Sequence, residues 1–195
     1  MRLCRACALV FVLASKPVWA DDSPDRQRNF FVMAGRITSS DMADSLGVVT
    51  SGYEKNYVMG GGFQNLTWRS NLVQIGYEVG AVLRKGDRDT TEIWAGILSR
   101  FRGLRVSRHM TITPSIIFGL SHVDGIQNGR EAELADEYQG DPSLLFYLSP
   151  ELELSHADRD WSVFWRLHHR SGGGKTLGNM RGATNANAVG LRFRF

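Results

Sequence analysis

A chain of 195 residues, 43% hydrophobic and 22% charged, suffices for one domain with a sizeable apolar surface. Its formal charge of +3 is no nucleic-acid signal: three of the 23 basic residues, Arg2, Arg5 and Lys16, precede position 21, leaving 20 against 20 acids. Both cysteines, Cys4 and Cys7, also fall before position 21, so the remainder needs no disulfide framework.

Residues 1–20 have the form of a secretory signal peptide. Arg2 and Arg5 give a basic start, Ala8 to Ala14 a short apolar run, and Val18-Trp19-Ala20 small residues at −3 and −1. The run is too short to span a bilayer as a helix. Cys4 and Cys7 precede it, the wrong place for a lipoprotein cysteine. Residues 21–195 are expected to form a single domain starting at Asp21. They contain no apolar stretch long enough for a membrane helix.

Alternation with period two then recurs along the chain, the mark of strands with two different faces. Phe30 to Ile37 is the first strand. Ser39 to Gly52 is polar and reads as a loop. Tyr53 to Gln64 is the second strand, with Asn65 to Ser70 a short connection. Val73 to Arg84 is the third, setting Val73, Ile75, Tyr77, Val79, Ala81 and Leu83 against Gln74, Gly76, Glu78, Gly80, Val82 and Arg84. A turn over residues 85–89 leads to Thr90–Phe101, which alternates less cleanly. The fifth strand starts at Met110. Gly125 to Asp141 reads as a long acidic loop. In the sixth, from Leu144, Glu151 and Glu153 oppose an apolar face. A tight turn at residues 157–160 leads to the seventh, from Trp161, and the eighth closes the chain.

In the last two, Trp161, Val163, Trp165 and Leu167 share a face, as do Val189, Leu191, Phe193 and Phe195. His169, Ser171 and Asn185 extend that face. Pairing His169 with Asn185 brings Leu167 to Asn187, Trp165 to Val189 and Trp161 to Phe193, so apolar meets apolar nearly throughout.

Eight strands with one apolar face and one small or charged face fit an eight-stranded antiparallel transmembrane β-barrel, all-β, apolar outside. A secreted sandwich or lipocalin-like barrel would reverse the faces. In the narrow lumen, Glu151 and Glu153 are expected to meet Arg166, Arg170, Arg192 and Arg194, because buried charge needs pairing. Connections are mostly long after odd strands and short after even ones. The polar trio thus lies on the lipid side at the outer leaflet of a bacterial outer membrane.

Same-face neighbours on a strand have Cα atoms about 6.6 Å apart, and side chains leaning together from there bring a base to a nucleophile. The plain alternative is an interfacial histidine that only anchors its strand. A glycine-rich Gly172-Gly173-Gly174-Lys175-Thr176 imitates a phosphate loop, but position 169 is His and no helix follows. His109, His122 and His156 lack metal-ligand spacing, so no metal and no cofactor is expected. His168 falls on the lumen face with Arg166.

Arg166-Leu167-His168-His169-Arg170-Ser171-Gly172, followed by a glycine-rich loop and a short final strand, resembles the lipid A 3-O-deacylase family of PagL type. The specific match covers the last ~30 residues. The resemblance implies an outer-membrane esterase that hydrolyses the 3-O-linked acyl chain of lipid A in lipopolysaccharide. It implies His169 as base and Ser171 as nucleophile. The acid of the family's His-Ser-Glu triad is replaced here by Asn185. The family's Asn after the serine is Gly172 here, leaving the backbone of Gly172 and Gly173 as oxyanion donors. Lys175 and Arg181, in the loop above, are candidates for the phosphates of the substrate. The alternatives are a phospholipase using the same groups and a non-enzymatic structural or adhesive barrel. Self-association, as a homodimer, is left open.

Overall fold

The computed structural model describes residues 27–195; the leader over 1–20 and the start at Asp21 lie outside them. Eight long strands are β1 (Gln27–Thr38), β2 (Tyr53–Arg69), β3 (Val73–Lys85), β4 (Thr90–Phe101), β6 (Met110–Val123), β7 (Leu144–His156), β8 (Trp161–Ser171) and β9 (Asn185–Arg194). A two-residue β5 (Leu104–Arg105) hangs on β6. All pairings are antiparallel. Each long strand pairs with its long neighbours, β4 with β6, and β9 with β1, so the sheet closes into a barrel. No described helix is long and apolar enough to cross a membrane.

The outer wall is apolar. Val32, Met59, Val79, Leu83, Ile93, Ile97, Phe118, Leu152, Val163 and Val189 are all exposed on it. A continuous apolar surface of this extent has no place in water; it is the lipid-facing belt of an outer-membrane barrel. This rules out the soluble sandwich. The long connections over residues 39–52, 124–143 and 172–184 gather at one end. Gln27, the C-terminal Phe195 and the short turns at 70–72 and 157–160 lie at the other, the periplasmic end in this fold class.

The lumen is packed solid. Arg166 binds Glu78 through both terminal nitrogens (2.8 and 2.7 Å) and reaches Glu151 through Nε and Nη2 (3.0 and 2.7 Å). Glu151 also accepts from Arg192 at 2.7 Å, Glu153 pairs with Arg192 and with Arg100, and all of these but Arg100 are essentially inaccessible. Arg194, expected inside, is exposed: it is the last residue of β9, at the periplasmic mouth, where its long side chain can reach water. The lumen is also less polar than its sequence pattern suggests. Phe31, Trp94, Tyr147 and Phe164 fill its middle, with Arg166 lying over Phe31 and Phe164 at 4.8 and 5.3 Å. Trp94 and Leu98 point inward from β4, which explains its weak alternation.

Glycines across the barrel make that room. A Cβ at Gly80 would lie 2.2 Å from the Trp94 ring, and one at Gly190 2.3 Å from Phe164. Gly80→Leu is expected to lower stability by about 1–3 kcal/mol through overpacking, read as a lower urea midpoint in detergent; an unchanged midpoint would show that Trp94 has space to move.

Three connections differ from the sequence expectation. β2 runs on through Arg69, with its register shifting between Leu66 and Trp68, where a short link was expected. The first loop holds a one-turn helix, α1 (Met42–Ser45), capped by the Asp41 side chain. The acidic loop holds α2 (Arg130–Tyr138). Its N-terminus is capped from elsewhere, the Arg130 N–H donating to the Glu54 carboxylate at 2.8 Å. Glu131 reaches into the top of the lumen, accepting from Arg84 (2.7 Å) and Arg170 (2.6 Å), while Leu134 and Ala135 pack on Leu145, Met180 and Ala183. Helix α2 is thus a cap on the barrel's outer end.

Candidate active site

β8 and β9 pair with His169 opposite Asn185, Leu167 opposite Asn187 and Trp161 opposite Phe193, the register expected from matching the apolar faces. His169 and Asn185 side chains meet directly, Nδ1 to Oδ1 at 2.5 Å. The other end of the Asn185 amide fixes the protons. Its Nδ2 donates to the Ser40 carbonyl at 2.8 Å, and only the NH2 group can do so. Oδ1 therefore faces the imidazole, Nδ1 carries the hydrogen, and Nε2 is left with a free lone pair. That is the tautomer a general base needs. Asn185→Asp would turn a carboxylate oxygen toward the Ser40 carbonyl. It is expected to cost about 1–3 kcal/mol, read as a lower melting temperature; an unchanged temperature would argue against the Ser40 contact.

The trio does not face lipid openly. The first loop folds down over the outer wall here. Thr38 bonds Ser45 at 2.7 Å, and Asn187 donates to the Ser45 carbonyl (3.0 Å) and accepts from Trp165 (3.1 Å). Under this roof Asn185 is 2% exposed and Leu167 fully buried, although both are on the outward side of the sheet. His169 and Ser171 remain half-buried.

Ser171 is beside the pair but not bonded to it. Its hydroxyl donates to the Arg181 carbonyl at 2.7 Å and accepts from the Gly173 N–H at 3.2 Å. Of the expected oxyanion donors, Gly173 is thus at the serine oxygen, whereas Gly172 is buried beneath the 177–180 turn, where a Cβ would meet the Met180 carbonyl at 2.0 Å.

A cleft of about 340 Å³ opens over these groups, between the first loop, α2 and the last loop. His169, Ser171 and Asn185 line it with Arg130, Arg181, Leu134 and Tyr138. Arg181 is in the wall as expected, while Lys175 stands outside it over the Tyr138 ring at 5.1 Å. Arg130 was not anticipated: it was one basic residue in an acidic stretch, and only the fold of α2 brings it here. Its Nε is buried without a hydrogen-bond partner among the described residues.

His168, on the lumen side, bonds Glu92 at 2.9 Å and Tyr147 at 3.1 Å, and is sealed from the cleft. Two of the three histidines that lack metal-ligand spacing in the sequence come together in space. The β6–β7 register brings His109 beside His156, their rings stacked at 5.5 Å, with Asp158 adjacent; one donor atom from each lies within 4.8 Å of the others. Zinc ligands bind at about 2.0–2.2 Å from the metal, so this exposed group is looser than a formed site, and it lies at the end opposite the trio.

No family model and no curated relative matches the chain. Among solved structures, it is similar to the outer membrane enzyme PagL, with 13% identity over 85% of this chain and 98% of that one and a TM-score of 0.56. It is also similar to Ail, the attachment invasion locus protein of Yersinia pestis (10% identity, 88% and 99% covered, TM-score 0.45), and to the outer membrane protein OprG of Pseudomonas aeruginosa (11%, 87% and 94%, 0.38). The likeness to PagL is one of fold: an eight-stranded outer-membrane barrel.

Proposed function

We propose that the chain is an outer-membrane esterase that removes the 3-O-linked acyl chain of lipid A. The observation that carries this reading is the His169–Asn185 pair, held so that Nε2 is free, in one cleft with Ser171. A turn about the Ser171 Cα–Cβ bond, giving up the Arg181 and Gly173 contacts at about 1 kcal/mol each, would bring the hydroxyl toward His169. Oγ then attacks the ester carbonyl while Nε2 takes its proton. The sugar hydroxyl leaves with that proton. Water, deprotonated by the same nitrogen, releases the fatty acid and restores Ser171. The Gly173 N–H, released from Oγ by that turn, is the candidate donor to the developing oxyanion. Lipid A remains in the outer leaflet, and a cleft at the wall's outer rim admits it without extraction.

Arg130 and Arg181 are the phosphate contacts in this reading. Arg130→Gln is expected to raise KM for phosphorylated lipid A about tenfold, the loss of one charge-assisted hydrogen bond. It should leave kcat for an uncharged ester unchanged; equal losses on both substrates would remove Arg130 from this role. The deciding assay is mass spectrometry of lipid A incubated with the protein in detergent, with loss of the 3-O-linked hydroxy fatty acid as the expected result. Release from phospholipid instead would make it a phospholipase.

One observation favours a second reading, a non-enzymatic barrel. The two hydrogen bonds of Ser171 already give its hydroxyl a structural use, tying the strand end to the last loop. No hydrolysis of either lipid by the folded protein would select it.

A further inference from the structure

The opposite mouth of the barrel has a chemistry of its own. Where β2, β3, β4 and β5 end, the lumen opens into a vestibule of about 920 Å³. Arg69, Arg102 and Arg105 line it with Arg100, and among the described residues no carboxylate does. Arg102 and Arg105 make no ion pair among the described residues. Arg100 shares Glu153 with Arg192, and its Nη1 is buried with no hydrogen-bond partner among the described residues. Arg69, which also meets the Gln74 amide, Arg102 and Arg105 are exposed and without an acid partner among the described residues, so the rim presents three guanidiniums to an anion.

The rim also carries exposed apolar side chains. Phe101 is 46% exposed on the outward face of β4, and Leu104 is 69% exposed between Arg102 and Arg105. A free anion would use the arginines and leave these two in water. A ligand with a charged head and a hydrocarbon tail uses both, and this end of an outer-membrane barrel meets the phospholipid leaflet.

We propose that the periplasmic mouth binds an anionic phospholipid, with its phosphate held by Arg69, Arg102 and Arg105 and its chains lying against Phe101 and Leu104. The site is independent of the outer cleft, and holds whether or not the chain is an esterase. The bound lipid would fix the barrel's height and tilt from below.

Native mass spectrometry of the folded chain, released from a non-ionic detergent, tests this with phosphatidylglycerol and phosphatidylcholine of identical chains and with inorganic phosphate. The expected result is one retained phosphatidylglycerol, preferred over phosphatidylcholine. A juxtamembrane arginine contributes about fivefold in anionic-lipid binding, so Arg102→Gln/Arg105→Gln should weaken retention roughly 25-fold. Lys85→Gln at the outer end should leave it unchanged. Equal retention of the two lipids, or a preference that survives the double substitution, overturns the proposal. So does displacement of phosphatidylglycerol by equimolar inorganic phosphate, which would make this a free-anion site. Should the double variant not fold, the wild-type ratio and Arg105→Gln alone decide.

Discussion

Ser171→Ala is expected to reduce the proposed lipid A deacylation by on the order of 10⁴- to 10⁶-fold, the usual consequence of removing a serine nucleophile. The barrel should still form. Alanine also forfeits the contacts to Arg181 and Gly173, worth about 1 kcal/mol each, so the last loop should loosen without unfolding the strands. Heat-modified migration on gels checks the barrel, and fatty-acid release checks the chemistry. Asn185→Ala should be milder by roughly one or two orders of magnitude, because it removes the group that orients the base and not the base itself. Full activity in Ser171→Ala would discard this nucleophile. Equal losses in the two variants would give Asn185 a larger part than orientation.

Glu151→Leu carries the largest expected effect on stability. Glu151 accepts from Arg166, Arg192 and Ser115, and none of them has water to turn to. Removing it leaves two guanidiniums with part of their charge uncompensated in a closed lumen, a loss of about 3–5 kcal/mol. Lys85–Asp89 provides the contrast. Both partners are about half exposed or more, and breaking an ion pair in water costs about 0–1 kcal/mol. Urea midpoints of Glu151→Leu and Lys85→Ala should therefore differ widely. Glu151→Leu/Arg192→Met should recover part of the loss, since it removes charge from both sides. Similar midpoints for the two single variants would mean that water reaches the lumen.

Most of the barrel could be read from the residues, because a wall between lipid and a narrow lumen imposes its alternation on every strand. The β8–β9 register was legible too: apolar pairs leave few ways to match Trp161–Leu167 with Val189–Phe195. The reading weakened wherever a side chain was used against its type. Trp94 and Leu98 point inward, made possible by Gly80 on the neighbouring strand, and so blur the alternation of β4. Helix α2 is anchored by Glu131, an acid whose sequence surroundings look solvated. The Ser171–Arg181 contact depends on a loop bent through positive φ at Gly173, Gly174, Lys175, Gly178 and Asn179, a path that residue types do not specify. For the same reason the cleft's second arginine, Arg130, could not be foreseen.

The pairing of β9 with both β1 and β8 has a consequence for biogenesis. His169 comes from β8, Asn185 from β9, and the Ser40 carbonyl that orients Asn185 from the residues just after β1. The first and last strands to leave the ribosome thus meet at the seam where these three groups come together. A chain inserted as an open sheet already brings His169 to Asn185 through β8 and β9, but lacks the Ser40 contact that fixes which end of the amide faces the imidazole. In the proposed enzyme, hydrolysis would reach its full rate only on closure, so nascent copies would act slowly on the lipids of the compartments they cross. Acyl release, followed in time, would then serve as a clock for the final step of assembly.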